Sequence, residues 1–521
     1  MPDVLVVGAG HNGLVAAAYL ARAGLSVLLL EKNDYIGGAT ASQQVFPDYD
    51  ARLSRYSYLV SLFPDKVIRD LGLKLELRRR ATGSFTPYVK NGRHDGLLLS
   101  NVAEEVSRQS MVDLTGSDRE YEQLQRFYNL ARVFAEHSWD SMLEPLRERD
   151  EFQRRFDHDD LSREAWRSLA EEPLGRAIER YLSYDLVRGL VLTDAKIGIF
   201  THPHDPTLVQ NCCFLYHLIG NKTGEWKVPV GGMGAVAAEL ERAARAGGAE
   251  MLVDVRLEQL DVNGAGHSVQ FEVDGRQQTV DARFLLVNFG RNVLAKYLGE
   301  PYQPAATDEG SVFKINMLLR RLPKLKAGHI AAADAFAGTF HSDEGYEQMN
   351  VSYRQAAEGL LPEKPPGEVY CHTLTDDSIL SPELRTGGFH TMTLFGIDTP
   401  WSLFARDNRT VRAEAEQRFL ASMNQWLAEP LEDCLAVARD GSLCLESKSP
   451  VDIEDALGLY HGNIFQDAPT FPFAERDDRV GTWGVETEHE NVFVCGSSAH
   501  RGGAVSGIPG HNAAMKVLQS L

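Results

Sequence analysis

The sequence predicts an α/β fold of two domains: a Rossmann-like nucleotide-binding domain and a second domain of mixed sheet plus helices. Three observations carry this reading. The chain opens on VLVVGAGHNGLVAAAYL, an apolar run broken by Gly8, Gly10 and Gly13. Near its other end, NVFVCGSSAHRGGAVSGIPGHNAAMKVL is a second apolar run that breaks into a glycine loop. The 521 residues, 43% hydrophobic and 24% charged, suffice for two or three domains around a large core.

Val4–Val7 is short and continuously apolar, as a parallel strand covered on both faces requires. His11 to Ala23 reads as a helix that turns Leu14, Ala17, Ala18 and Ala21 to the sheet, and Gly24 stops it. Ser26–Glu31 is the next strand, ending on an acid, which completes a βαβ unit. In such a unit Gly8 makes the tight turn, Gly10 admits a pyrophosphate to the backbone, and Gly13 lets helix and strand pack closely. The helix N-terminus offers free N–H groups to an anion, and Glu31 is placed to accept from ribose hydroxyls.

In Asn491–Leu518, VFVC is a second buried strand, ended by Gly496. Gly502, Gly503, Gly507 and Gly510 crowd the loop before a helix expected around Asn512–Leu518. A strand, a glycine loop and a helix N-terminus make a second anion site. One cofactor held by both ends of the chain makes the nucleotide-binding domain discontinuous.

The residues after Glu31 distinguish cofactors. EKNDYIGGATAS places Gly37-Gly38 behind the ribose acid, which resembles the flavoprotein pattern. The C-terminal segment resembles the FAD signature of the phytoene-desaturase-like family. It matches at Cys495, Gly496, Ser497, His500, Gly502, Gly503, Val505, Gly507, Gly510, Asn512, Ala513 and Ala514. It departs at Arg501 (for proline), Ala504 (for glycine) and His511 (for arginine). Val228–Leu260, Ser54–Leu62 and Gly462–Gln466 also look like family segments. With GAGHNGL they point to the branch holding ketolase-type carotenoid enzymes and pyridine nucleotide-disulfide oxidoreductase domain-containing protein 2. The resemblance implies a glutathione-reductase/amine-oxidase-like flavoprotein with FAD as cofactor. It implies cofactor contacts at Gly8, Gly10, Gly13, Glu31, Lys32, Gly37, Gly38, Ala39, Val255, Gly496, Gly503, Gly507 and Ile508.

The reaction the resemblance implies is dehydrogenation of a C–C bond in a largely hydrophobic small molecule, with hydride passing to flavin N5. Arg501 and the charged insert leave a more polar substrate open. Amine or alcohol oxidation, redox-neutral isomerisation and a non-catalytic FAD-binding partner protein are the alternatives. Lys314, in SVFKINMLLRRL, sits in an alternating strand pattern where an inward lysine is costly without a purpose. In related amine oxidases a strand lysine reaches flavin N5 through water; the other placement is a solvated lysine on an edge strand. His500 is the second catalytic candidate, as acid or base, or it only shapes its loop. Trp226, His461, Gln466 and Arg501 are candidate substrate-pocket residues. THPHDP offers two histidines and an acid without a further ligand set, so no metal is expected, and Cys212-Cys213 reads as two buried small side chains.

The division expected is residues 1–90, 221–300 and 446–521 in the FAD domain, 91–220 as a helical substrate-capping region, and 301–445 as the substrate domain. The densely charged stretch 115–200 reads as an amphipathic helical subdomain or, more sharply, a substrate-access lid. A net charge of −20 argues against nucleic acid and against a broadly basic membrane-docking face. The six cysteines form no C-x-x-C and suit a reducing compartment. With no leader and no apolar run of about 18 residues, a cytoplasmic location is expected, with peripheral membrane contact left open. The oligomeric state is not set by these features.

Overall fold

The computed structural model describes residues 1–264, 266–305 and 308–521. Its first layer is a five-stranded sheet, all parallel, in the order Val492–Val494, Phe284–Val287, Val4–Val7, Val27–Leu30 and Glu250–Leu252. The three central strands are almost wholly buried, which is why they read as unbroken aliphatic runs. The helix His11–Arg22 packs against two others, Met233–Ala246 and Ile508–Gln519. An antiparallel three-stranded sheet (Arg256–Asn263, Gly266–Val273, Arg276–Ala282) stands beside this layer.

The second layer is a mixed seven-stranded sheet in the order Leu445–Lys448, Phe313–Leu319, His390–Gly396, Gly367–Tyr370, Thr339–Ser342, Thr82–Lys90 and Arg93–Ser100. All neighbours are antiparallel except Thr339–Ser342 with Thr82–Lys90. Two expected boundaries therefore move. Thr82–Lys90 belongs to the second sheet, not to a nucleotide-binding segment ending at 90, and Leu445–Lys448 carries the second sheet past 445. Leu445–Lys448 is bound by Phe313–Leu319, and the hairpin of Thr82–Lys90 with Arg93–Ser100 joins the sheet through Thr339–Ser342; both attachments are remote in sequence, which local patterning does not report.

The charged stretch forms helices including Arg119–Ser138, Asp160–Trp166, Leu174–Tyr181 and Asp185–Thr193. Their apolar stripes, with Phe127, Phe134 and Trp166, fill one large core, and their charges face outward. The last helix begins at Ile508, ahead of the expected Asn512. Pro509 is compatible with a first turn because its missing N–H would have no partner there. No helix among the described residues is long and apolar enough to cross a membrane.

Candidate functional site

The glycine loops meet at the carboxyl ends of the parallel strands. Gly13 lies against Val4–Val7 so closely that a Cβ there would come within 2.2 Å of the Gly8 carbonyl oxygen. Gly37 adopts a φ of +119°, and a Cβ on it would meet Ala237 at 2.9 Å. Its N–H donates to the Ala9 carbonyl at 2.9 Å, locking the Gly37-Gly38 turn onto the first loop. Glu31 is buried and accepts from the Ala9 N–H at 2.7 Å and the Asn33 N–H at 2.9 Å. Val255 is held by its N–H to the Glu31 carbonyl at 2.9 Å. The helices starting at His11 and Ile508 are preceded by Gly10 and Gly507, which have no side chain to cap them.

A cavity of about 710 Å³ runs from these loops to the face of the seven-stranded sheet, within the size range of small-molecule and cofactor sites. Gly8, Gly10, Glu31, Lys32, Gly38, Ala39 and Val255 line one part of it; Lys314, Trp226 and Gln466 line it as well. Gly13, Gly37, Gly496, Gly503, Gly507 and Ile508 stand behind the wall and shape it, while Ser497, Ala504 and Val505 of the last loop reach it. Ala504, standing where the family signature has glycine, holds a φ of +44°.

Lys314 is 2% exposed on a strand paired on both sides, so the solvated edge-strand placement is ruled out. Its ammonium lies 4.2 Å from the Tyr58 ring centre and donates a long bond of 3.4 Å to the Tyr56 carbonyl. Burial pushes its pKa down to about 7, against the opposing pull of Glu446. Register places Lys314 opposite Phe395, Phe395 opposite Glu368, and Glu368 opposite His341. These four residues form one rung across four strands, and all line the cavity. Next to the rung, Tyr370 donates to Glu368, and His341 Nδ1 is hydrogen-bonded to Glu344. Burial raises Glu368 to about 8 and Asp194 to about 7.

Three predicted residues are placed elsewhere. His500 is half-buried, off the cavity wall, its Nε2 2.8 Å from the Phe471 carbonyl and 2.9 Å from that of Phe473. Both partners are acceptors, so Nε2 carries the proton. Burial, with Arg501 beside it, holds the ring down to about 3. His500 is a neutral anchor of its loop, not an acid or base facing a substrate. Arg501 is turned inward: it donates to the Ser141 carbonyl at 2.5 Å and the Trp483 carbonyl at 3.3 Å, and burial lowers it to about 9. It adds no charge to the cavity wall. His461 stacks between Trp401 and Tyr460 at 4.0 and 3.9 Å, also off the wall.

Other wall residues went unnoticed in the sequence: Asn288, Tyr58, Arg80, Asp194, His341, Glu368 and Tyr370. Asn288 ends the strand Phe284–Val287, and its amide donates to the Gly8 carbonyl at 3.1 Å. A signal for Glu368 existed. In GEVY the strand period puts Glu368 and Tyr370 on one face, where a buried acid is unusual. The histidines of THPHDP face protein groups, His204 pairing with Glu179 at 2.9 Å and His202 stacking on Tyr353. All six cysteines are buried and unpaired.

The parallel sheet with paired glycine loops, the second sheet over it and the shared cavity define a nucleotide-binding α/β fold with a second, mixed-sheet layer. Residues 6–70 match the NAD(P)-binding Rossmann-like domain model. An uncharacterized protein of Mycobacterium tuberculosis is 44% identical over 527 residues, covering 100% of this chain and 97% of that one. Pyridine nucleotide-disulfide oxidoreductase domain-containing protein 2 of Rattus norvegicus is 28% identical over 571 residues, covering 100% and 94%. Cyclohexylamine oxidase from Brevibacterium oxydans has the same fold, with a TM-score of 0.58 at 14% identity over 100% and 99% of the two chains. The chain belongs to one family with the Mycobacterium tuberculosis protein, and these likenesses together support an FAD-dependent oxidoreductase family.

Proposed function

We propose that the protein is an FAD-dependent dehydrogenase that forms a C=C bond in a molecule with a largely apolar body. The observation that carries this reading is Lys314, a buried amine on an interior strand, opening into the cavity that the nucleotide-binding loops begin. The site fits a dinucleotide. Among the wall residues, Asn12 Oδ1 and Gln466 Oε1 are buried without a protein partner, and two uncapped helix N-termini converge on the same region.

Glu31 would hold the ribose, the first turns after Gly10 and Gly507 would face the diphosphate, and Val255 would border the adenine. Bound FAD would supply a two-electron acceptor for hydride from a substrate carbon, with oxygen, a quinone or another acceptor as the final oxidant. Lys314, neutral above a pH of about 7, would take, through water, the proton that leaves the neighbouring carbon. Tyr56, Tyr58 and Leu124 give the cavity the apolar and aromatic surface that orients such a substrate and excludes water.

The test is anaerobic. The purified protein is expected to be yellow, to release FAD on denaturation, and to lose flavin absorbance when given its substrate, with a product lighter by two hydrogens. Polyenes, lipids, cyclic ketones and amines form the screening set. A colourless protein that cannot be reconstituted with FAD overturns the reading, and a product of unchanged mass replaces it with isomerisation.

A further inference from the structure

Arg80 is the charged group that the preceding sections leave without a role. It is 8% exposed and lines the cavity beyond the rung that carries Lys314. Its Nη1 donates to Thr339 Oγ1 at 3.1 Å, and its Nε has no hydrogen-bond partner. Among the described residues no carboxylate lies within 4.0 Å of it. Of the other buried lysines and arginines among the described residues, Lys196 pairs with Asp398 at 2.8 Å, Arg501 donates to two carbonyls, and Lys314, held only by its long bond to the Tyr56 carbonyl, is the one whose neutral form burial brings within reach. A buried guanidinium with an open side is costly unless something completes it.

The acids around Arg80 do not complete it. Glu368 is engaged by Tyr370, and Glu344 by His341. Asp194 stays farther off, and burial favours its neutral form as it does that of Glu368. A carboxyl held toward its neutral form cancels little of a neighbouring charge and can itself donate, so the Arg80 guanidinium is the fixed charge at this end of the cavity. The wall leading to it is apolar and aromatic, with Leu99, Leu124, Tyr128, Leu190 and Ile197.

We propose that Arg80 binds an oxyanion of the carboxylate type at one end of the substrate, so that the molecule this cavity takes is an elongated apolar acid. The planar fork of a guanidinium matches a carboxylate bidentately. Arg80 lies over the Tyr370 ring, 6.0 Å from its centre. The strand of Tyr370 is two positions from that of Lys314 in the sheet order, or about 10 Å at the usual strand spacing. An acid of roughly ten carbons spans that distance. The proposal rests on the flavin-dehydrogenase reading for what happens at the Lys314 end, and on Arg80 alone for what is held at the other.

The test uses the protein as purified, with decanoate, decanol and decylamine as probes. Binding is measured by calorimetry and, in parallel, by the change each probe makes in flavin absorbance. Decanoate is expected to bind saturably and at least about tenfold more tightly than either neutral or cationic analogue. Arg80→Met is expected to weaken decanoate at least about tenfold and leave decanol almost unchanged; Arg80→Lys, which keeps the charge but loses the fork, falls between. Decylamine binding as tightly as decanoate would place a cation against Asp194 and Glu368 and overturn the proposal. So would an Arg80→Met protein with undiminished decanoate affinity. If that variant does not fold, the ranking of the three probes on the parent protein decides alone. Calorimetry reads the acid site whether or not flavin is present. A colourless protein that binds decanoate refutes the dehydrogenase reading only, and a yellow one indifferent to decanoate refutes the acid site only.

Discussion

Lys314 shows how much one side chain can be read from sequence and where that reading stops. Its position in an apolar alternating strand marked it, because an inward lysine has to be explained. That it sits on an interior strand, against Tyr58, depends on the strands at His390–Gly396 and Leu445–Lys448, which lie far along the chain. Lys314→Met should slow flavin reduction or reoxidation at least about tenfold in stopped-flow measurements; unchanged rates would remove Lys314 from the chemistry. The parent enzyme should also show a rate limb rising through pH 7 that the variant lacks. Stability carries the same signature. Between pH 7 and the usual lysine value the unfolded chain binds more protons at this residue than the folded one, so its contribution improves as pH rises. The stability gap between Lys314→Met and the parent, from denaturant titrations, should shift in the parent's favour across that window. Ala504 is a residue-scale departure of another kind. Holding an alanine at a φ of +44° costs roughly 1–2 kcal/mol, part of which a glycine would give back through its more disordered unfolded state. Ala504→Gly should raise the melting temperature slightly, a net gain of up to about 1 kcal/mol.

The elements divide sharply in how legible they were. The first strand, turn and helix are set by local chemistry: aliphatic run, glycines, alanine-rich helix. Gly13 is the tightest point of that unit, and a side chain there meets backbone that cannot move aside. Gly13→Val is therefore expected to cost about 3 kcal/mol or more and to abolish retention of FAD. A thermal melt and the flavin content of the purified variant check both. The rung His341–Glu368–Phe395–Lys314 is the opposite case. Each of its strands is short, and nothing within any one of them states which residues will stand opposite. The register is decided by pairing between segments distant in sequence. The same holds for His500 and Arg501. Motif position put them beside the cofactor, but the left-handed backbone at Arg501 and the inward carbonyls of Phe471, Phe473 and Ser141 turn both side chains into the protein.

At the scale of the whole molecule, the cofactor site is the seam that joins chain segments from both ends and the middle. The strand Phe284–Val287 lies between the first strand and Val492–Val494, and Asn288 at its tip touches the loops on both sides. A ligand lodged there ties all of them together. FAD at a hundredfold excess over its dissociation constant should stabilise the fold by about 2.7 kcal/mol, seen as one shifted, cooperative melt of both layers. Two separate transitions, with only one responding to FAD, would contradict this. The parallel layer, closed by both ends of the chain, was legible from the pair of glycine loops. The cavity's polar end was not, because Arg80, Asp194 and the four residues of the rung come from six different stretches of chain, none of which is distinctive alone.

Because the parallel sheet is completed by Val492–Val494 and its following helix, the order of synthesis matters. Val4–Val7 and its glycine turn leave the ribosome almost a full chain length before the strand that finishes their sheet. At roughly 5–20 residues per second, the gap is about 25–100 s. From its own synthesis until Val492–Val494 arrives, the later part of that interval, Phe284–Val287 has an open edge of unpaired N–H and C=O groups. A nascent chain that stalls before Val492–Val494 is therefore left with that edge exposed, open to pairing with a strand of another chain.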